Sequence, residues 1–107
     1  MEFRTLLFRI APQPNVEAED FEGALKSDVM PAVDTGQTRA GKIVEARAYR
    51  TADGQYRLLV DVETMTGSSW ALARLRAALD ELEEIGIVDT PVDMVLIATS
   101  TEAGPTT

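Results

Sequence analysis

From Phe3 to Ile10 the side chains alternate at first and then run apolar through Leu6, Leu7 and Phe8, the pattern of a strand covered on both faces. Pro12 and Pro14 end it. The apolar spacing then lengthens to three and four residues at Ala18, Phe21, Leu25 and Val29, which predicts a helix with Asn15 as N-cap. Glu17, Glu19 and Asp20 suit the positive end of its dipole, and Pro31 should stop or kink it. The remaining face of this helix is acidic and reads as solvated.

After a polar loop from Asp34 to Gly41, alternation returns over Lys42 to Met65 and predicts two strands joined at Ala52-Asp53-Gly54. Register is decided by the turn, because a slip of one residue moves every side chain to the other face. A two-residue Asp53-Gly54 loop would mix polar with apolar on both faces. A three-residue loop, with Gly54 in the left-handed region, sets Arg50 against Tyr56, Ala48 against Leu58, Ala46 against Val60 and Val44 against Val62. The second register is the expectation. It turns Val44, Ala46, Ala48, Leu58, Val60 and Val62 toward the helices, and it places Ile43, Glu45, Arg47 and Tyr49 on the other face with Glu63, Asp61, Leu59 and Arg57.

Thr66 and Gly67 break the strand, and Ser68 or Ser69 caps a second helix striped by Leu72, Leu75, Leu79 and Leu82. Gly86 followed by Ile87 reads as its glycine C-cap with a hydrophobic contact. Asp80, Glu81, Glu83 and Glu84 crowd the negative end of the dipole and read as a solvated face. Beyond Pro91 a last strand is expected from Val92 to Thr99, apolar without a break from Met94 to Ala98. Residues 101–107 read as a flexible tail, which leaves one domain over residues 1–100.

Composition removes more functions than it suggests. With 107 residues and 45% hydrophobic content, the chain can bury the core of one domain and no second one. Its net charge of -8 opposes binding to nucleic-acid phosphates. It has neither cysteine nor histidine, so thiol nucleophiles, disulfides, the usual zinc sites and imidazole acid-base chemistry are excluded, and no cofactor or metal is expected. The apolar N-terminal stretch is interrupted by charges and too short for a signal or membrane span, so a soluble cytoplasmic protein with no membrane partner is expected.

Two short matches carry little chemistry. Gly36 to Lys42 follows most of a phosphate-binding loop, but Ile43 stands where a hydroxyl is needed, and a helix precedes where a strand should. It reads as a plain connection. Asp34-Thr35-Gly36, with Ile85-Gly86, echoes the short homodimeric aspartic proteases of retroviral type. That family is nearly all β, which a long leucine-striped helix contradicts.

The element order is strand, helix, strand, strand, helix, strand. It predicts an α+β fold of the ferredoxin-like split βαβ kind (βαββαβ): a four-stranded antiparallel sheet of order 4-1-3-2, with both helices on one face. On this order, over residues 2–99 and including a first helix that runs into Val29-Met30-Pro31, the chain resembles the dimeric α+β barrel superfamily. That group includes stress-responsive A/B-barrel proteins, cofactor-free antibiotic-biosynthesis monooxygenases and EthD-like proteins. The resemblance implies a small dimeric protein holding an apolar molecule, and the histidine that many of its enzymes use has no counterpart here.

A homodimer is also expected from the residues themselves. Both helices cover one sheet face, yet the first and last strands are apolar on both, so the second face should pack on a second copy. Ile43, Tyr49 and Leu59 should lie there, with Glu45, Arg47, Arg57, Asp61 and Glu63 as a charged margin. Under the helices, the small Val44, Ala46 and Ala48 face large groups and predict a ligand pocket of Phe21, Met30, Ala48, Arg50, Tyr56 and Trp70. Arg50 and the Tyr56 hydroxyl at its mouth would orient a carboxylate, phenol or carbonyl. The competing readings are close packing of a non-catalytic homodimerisation or protein-interaction module, and a metabolite-sensing regulatory domain.

Overall fold

The computed structural model describes residues 2–33, 37, 38, 40–80, 85–87 and 91–100. Strand β1 (Glu2–Pro12) is followed by α1 (Ala18–Ala24), a π-helical segment (Leu25–Val29) and α2 (Met30–Val33). Then come β2 (Gln37–Thr38), β3 (Gly41–Arg50), β4 (Tyr56–Thr64), α3 (Ser69–Asp80), β5 (Ile85–Ile87) and β6 (Val92–Val95). The fold is α+β, an antiparallel sheet with two helical layers.

Among the described residues the sheet has six strands where four were expected. Its path is β2-β3-β4-β1-β5, and β6 also pairs with β1. The additional strands are short. β5 lies against Ile10 to Pro12 and β6 against Arg4 to Leu7, so two strands share one edge of β1 where one was expected. The four principal strands lie side by side as β3-β4-β1-β6.

One face of this sheet carries the core. Leu6, Phe8 and Ile10 of β1 pair with Val60, Leu58 and Tyr56 of β4, and all six are buried. Phe21, Leu25 and Val29 from the first helical segment and Ala71, Leu75 and Leu79 from α3 join the same cluster. Both helical layers therefore cover this face. Among the described residues, no helix is long and apolar enough to cross a membrane.

Local chemistry departs from expectation at several boundaries. α1 starts at Ala18 behind Glu17, which makes no side-chain cap bond. Asn15 is not the cap: its N–H and that of Val16 donate to the Gln13 carbonyl at 3.1 and 3.0 Å, closing a turn that holds it outside the helix. Pro31 does not stop the helical path either. The Met30 N–H reaches back to the Leu25 carbonyl, and this wider π turn comes just before the ring that lacks an N–H and would crowd a regular ladder. Leu82 lies outside the described residues. Gly86 belongs to β5 rather than to a helix cap, and its strand pairing with Ala11 uses the backbone that a cap would have turned.

The hairpin forms on a three-residue loop. Gly54 has φ +83°, its N–H donates to the Thr51 carbonyl at 3.0 Å, and the Thr51 N–H donates to Gln55 at 2.8 Å. Arg50 pairs with Tyr56, Ala48 with Leu58 and Ala46 with Val60. Below Glu45 the register shifts. Ile43 sits opposite Val62 and Glu45 opposite Asp61, so Val44 is an extra residue in a β-bulge. The inserted residue reverses the alternation: Ile43 is buried in the core at 8% exposure, and Val44 is 43% exposed. The expectation that Val44 faces the helices and Ile43 the open face is overturned for this reason. At the start of β3 the backbones run close, since a Cβ on Gly41 would lie 2.0 Å from the Glu63 carbonyl oxygen.

The opposite sheet face bears no described helix. By alternation it presents Phe3, Leu7 and Leu59, which are half-buried, and Tyr49, Val92 and Met94, which are exposed. Charge pairs cross it. Arg47 donates to Asp61 at 3.0 and 3.2 Å, Lys42 meets Glu63 at 3.6 Å, and the Thr5 hydroxyl donates to Asp61 at 2.7 Å. β6 is shorter than the expected Val92 to Thr99, although the Leu96 N–H still donates to Phe3 at 3.1 Å.

Candidate functional site

A cavity of about 440 Å³ opens between the first helical segment and the β3–β4 hairpin. Its helical wall is Glu22, Leu25, Lys26 and Met30, and its strand wall is Ala46 to Arg50 with Tyr56. The sequence creates it in two ways. Ala46 and Ala48 project too little side chain to reach the helix, and β2 pairs only with Gly41 and Lys42, so no described strand closes the edge of β3 beyond them. A second hollow of about 530 Å³, bordered by Met30, Pro31, Val44, Glu45 and Ala46, continues along that edge past the bulge.

Polar chemistry concentrates at one end. Glu22 Oε2 accepts the Tyr56 hydroxyl at 2.8 Å and Arg50 Nη1 at 3.0 Å. Tyr56 is buried, and behind it the ring of Phe21 stands edge-on with centroids 4.8 Å apart. The hydrogen bond from Tyr56 chiefly lowers the Glu22 pKa, and the charge of Arg50 adds to the effect. The same bond, with burial and the Glu22 charge, raises the Tyr56 phenol above its ordinary range.

Of the residues expected to form a pocket, Met30, Ala48, Arg50 and Tyr56 line this cavity together. Phe21 and Trp70 do not. Phe21 is fully buried, because its position on the helix points into the centre of the core. Trp70 is held at the far end of the hairpin, where its indole N–H donates to Thr64 Oγ1 at 3.0 Å and its ring packs over Gly41. The Tyr56 hydroxyl also differs from expectation, since its proton is committed to Glu22 and cannot be offered to a ligand oxygen.

Sequence reasoning missed Glu22, Leu25, Lys26, Arg47 and Tyr49 as lining residues. Glu22 and Lys26 stand four apart, with Leu25 between them and Met30 a further turn along. That spacing marks a helix side flanking the core stripe, and it was legible as a stripe of its own. Among the described residues, no group of three or more acidic side chains is arranged to hold a metal ion. Glu2, Arg4, Asp93 and Ser68 form a separate polar chain that fastens β6 to the start of α3: Arg4 reaches Glu2 at 2.7 Å and Asp93 at 2.9 Å, and the Ser68 hydroxyl donates to Asp93. No protein-family model matches the chain, and a search of curated proteins finds no significant match.

Proposed function

We propose that this protein binds a small, largely apolar molecule in the cavity between the first helical segment and the β3–β4 hairpin, and does so as a homodimer. The observation that carries the reading is the cavity itself. Its volume of about 440 Å³ falls in the range of small-molecule sites, and a few polar groups gather at one end of an otherwise apolar lining. The α+β architecture is consistent with a ferredoxin-like arrangement, and the proposal takes from the element order a resemblance to the dimeric α+β barrel superfamily. No catalytic residue is assigned: Glu22, Tyr56 and Arg50 hold one another in place, and nothing in their arrangement points to a reaction.

A second reading, a non-catalytic homodimerisation or protein-interaction module, is favoured by the open sheet face. Tyr49, Val92 and Met94 are exposed there at 47%, 51% and 36%, enough to form one apolar patch with Leu7 and Leu59.

Native mass spectrometry of freshly purified protein and of Ala48→Leu separates the two readings. Under the first, a small molecule travels with the wild type and is lost from the variant, whose longer side chain fills the cavity, while folding is retained. An empty wild type that neither gains stability from nor binds any member of a broad apolar ligand panel leaves the module reading in possession.

A further inference from the structure

The cavity carries a charge of the wrong sign for its chain. The whole sequence has a net charge of -8, yet the lining includes Lys26, Arg47 and Arg50 against Glu22 alone. Arg47 is neutralised by Asp61 on the other side of the strand, at 3.0 Å. Glu22 is already engaged, with both of its donors on Oε2. A positive surplus remains at the mouth, made of Lys26 and the outward part of Arg50, whose side chain is 62% exposed.

Arg50 also keeps donors to spare. Glu22 holds Nη1 at 3.0 Å, and no described residue bonds the Nε–Nη2 edge, which has the two parallel donors that a carboxylate matches. A cationic ligand would meet two positive groups, Lys26 and Arg50, beside a single carboxylate whose charge is already shared with Arg50. A neutral alcohol would gain little from the surplus.

Resting on the small-molecule reading above, we infer that the ligand is an amphipathic organic anion: a carboxylate held by Arg50 and Lys26, with its apolar body between Leu25, Met30, Ala46 and Ala48. Glu22 acts as a positioning residue that fixes Arg50, and Tyr56 in turn fixes Glu22.

Calorimetric titration with octanoate, 1-octanol and octyltrimethylammonium tests the sign of the site with one common tail. Octanoate is expected to bind most tightly, to weaken about tenfold or more in Arg50→Gln, and to recover in part in Arg50→Lys. Lys26→Gln should weaken it about two- to fivefold, and added salt should weaken octanoate but not octanol. Arg50 is exposed enough for its variants to fold, which circular dichroism checks, and the salt series on the wild type decides the matter if they do not. Equal binding of octanol and octanoate, with no effect of Arg50→Gln or of salt, overturns the anion assignment and leaves the cavity reading standing. Tightest binding of octyltrimethylammonium overturns it as well. Failure of all three to bind overturns the cavity reading together with the anion.

Discussion

Glu22 and Tyr56 are 34 positions apart, and their hydrogen bond joins the first helical segment to the hairpin across the cavity. From the sequence, Glu22 belongs to a solvated acidic face; only packing brings it over a phenol. The consequence can be measured. A group whose pKa is lowered by folding stabilises the fold above the ordinary carboxylate range, and that contribution is lost as pH falls through its folded pKa. Tyr56 is the opposite case: its contribution is complete below the unfolded tyrosine pKa of about 10 and is lost as pH rises through the raised one. The chain has two tyrosines, so Tyr49→Phe leaves Tyr56 as the only phenol. Ultraviolet titration of that variant should give a midpoint above that of unfolded tyrosine, and adding Glu22→Gln should bring it down. A midpoint unmoved by the loss of Glu22 would mean that burial, not the hydrogen bond, sets the Tyr56 pKa.

At the scale of elements, the bulge in β3 is the feature that most changes the reading. Periodicity assigns faces by counting in twos, and one inserted residue inverts the count without leaving a mark in composition. Ile43 is the larger side chain, and burying it in place of Val44 removes more apolar surface from water. The two neighbours therefore make a sharp comparison. Ile43→Ala should cost about 2–4 kcal/mol in chemical denaturation, whereas Val44→Ala should stay within about 0.5 kcal/mol. A reversed pair of values would restore the regular register. The π segment has a similar origin: Pro31 forbids a regular ladder bond, and wrapping the sheet with Leu25 and Val29 keeps the helical path going regardless.

For the whole molecule, the open sheet face is the surface that a second copy would cover. Leu7, Leu59, Val92 and Met94 gather there beside the Arg47–Asp61 and Lys42–Glu63 pairs, apolar area that would exclude water next to charges that would fix orientation. Light scattering at micromolar concentration should give twice the chain mass. Leu59→Asp, at the middle of the patch, should give a folded monomer, since a desolvated carboxylate there would repel its copy across the two-fold axis. A wild-type monomer in that range would remove the homodimer from the proposal and leave the cavity to be judged by its ligands.

The sequence by itself determined the elements that depend on near neighbours: a strand at Leu6 to Phe8, a leucine-striped second helix, and a hairpin whose glycine has positive φ. It also determined the absence of histidine and cysteine chemistry, and the hairpin turn it specifies sets Ala48, Arg50 and Tyr56 in register on the cavity that Met30 of the helical segment also lines. Tertiary structure alone decided the rest. The bulge, the division of the outer edge between β5 and β6, the withdrawal of Phe21 and Trp70, and the capture of Glu22 by Tyr56 all depend on which surfaces meet. Propensity and spacing describe a residue's own strand or helix, whereas these outcomes are set by competition among distant side chains for the same core volume and the same hydrogen-bonding partners.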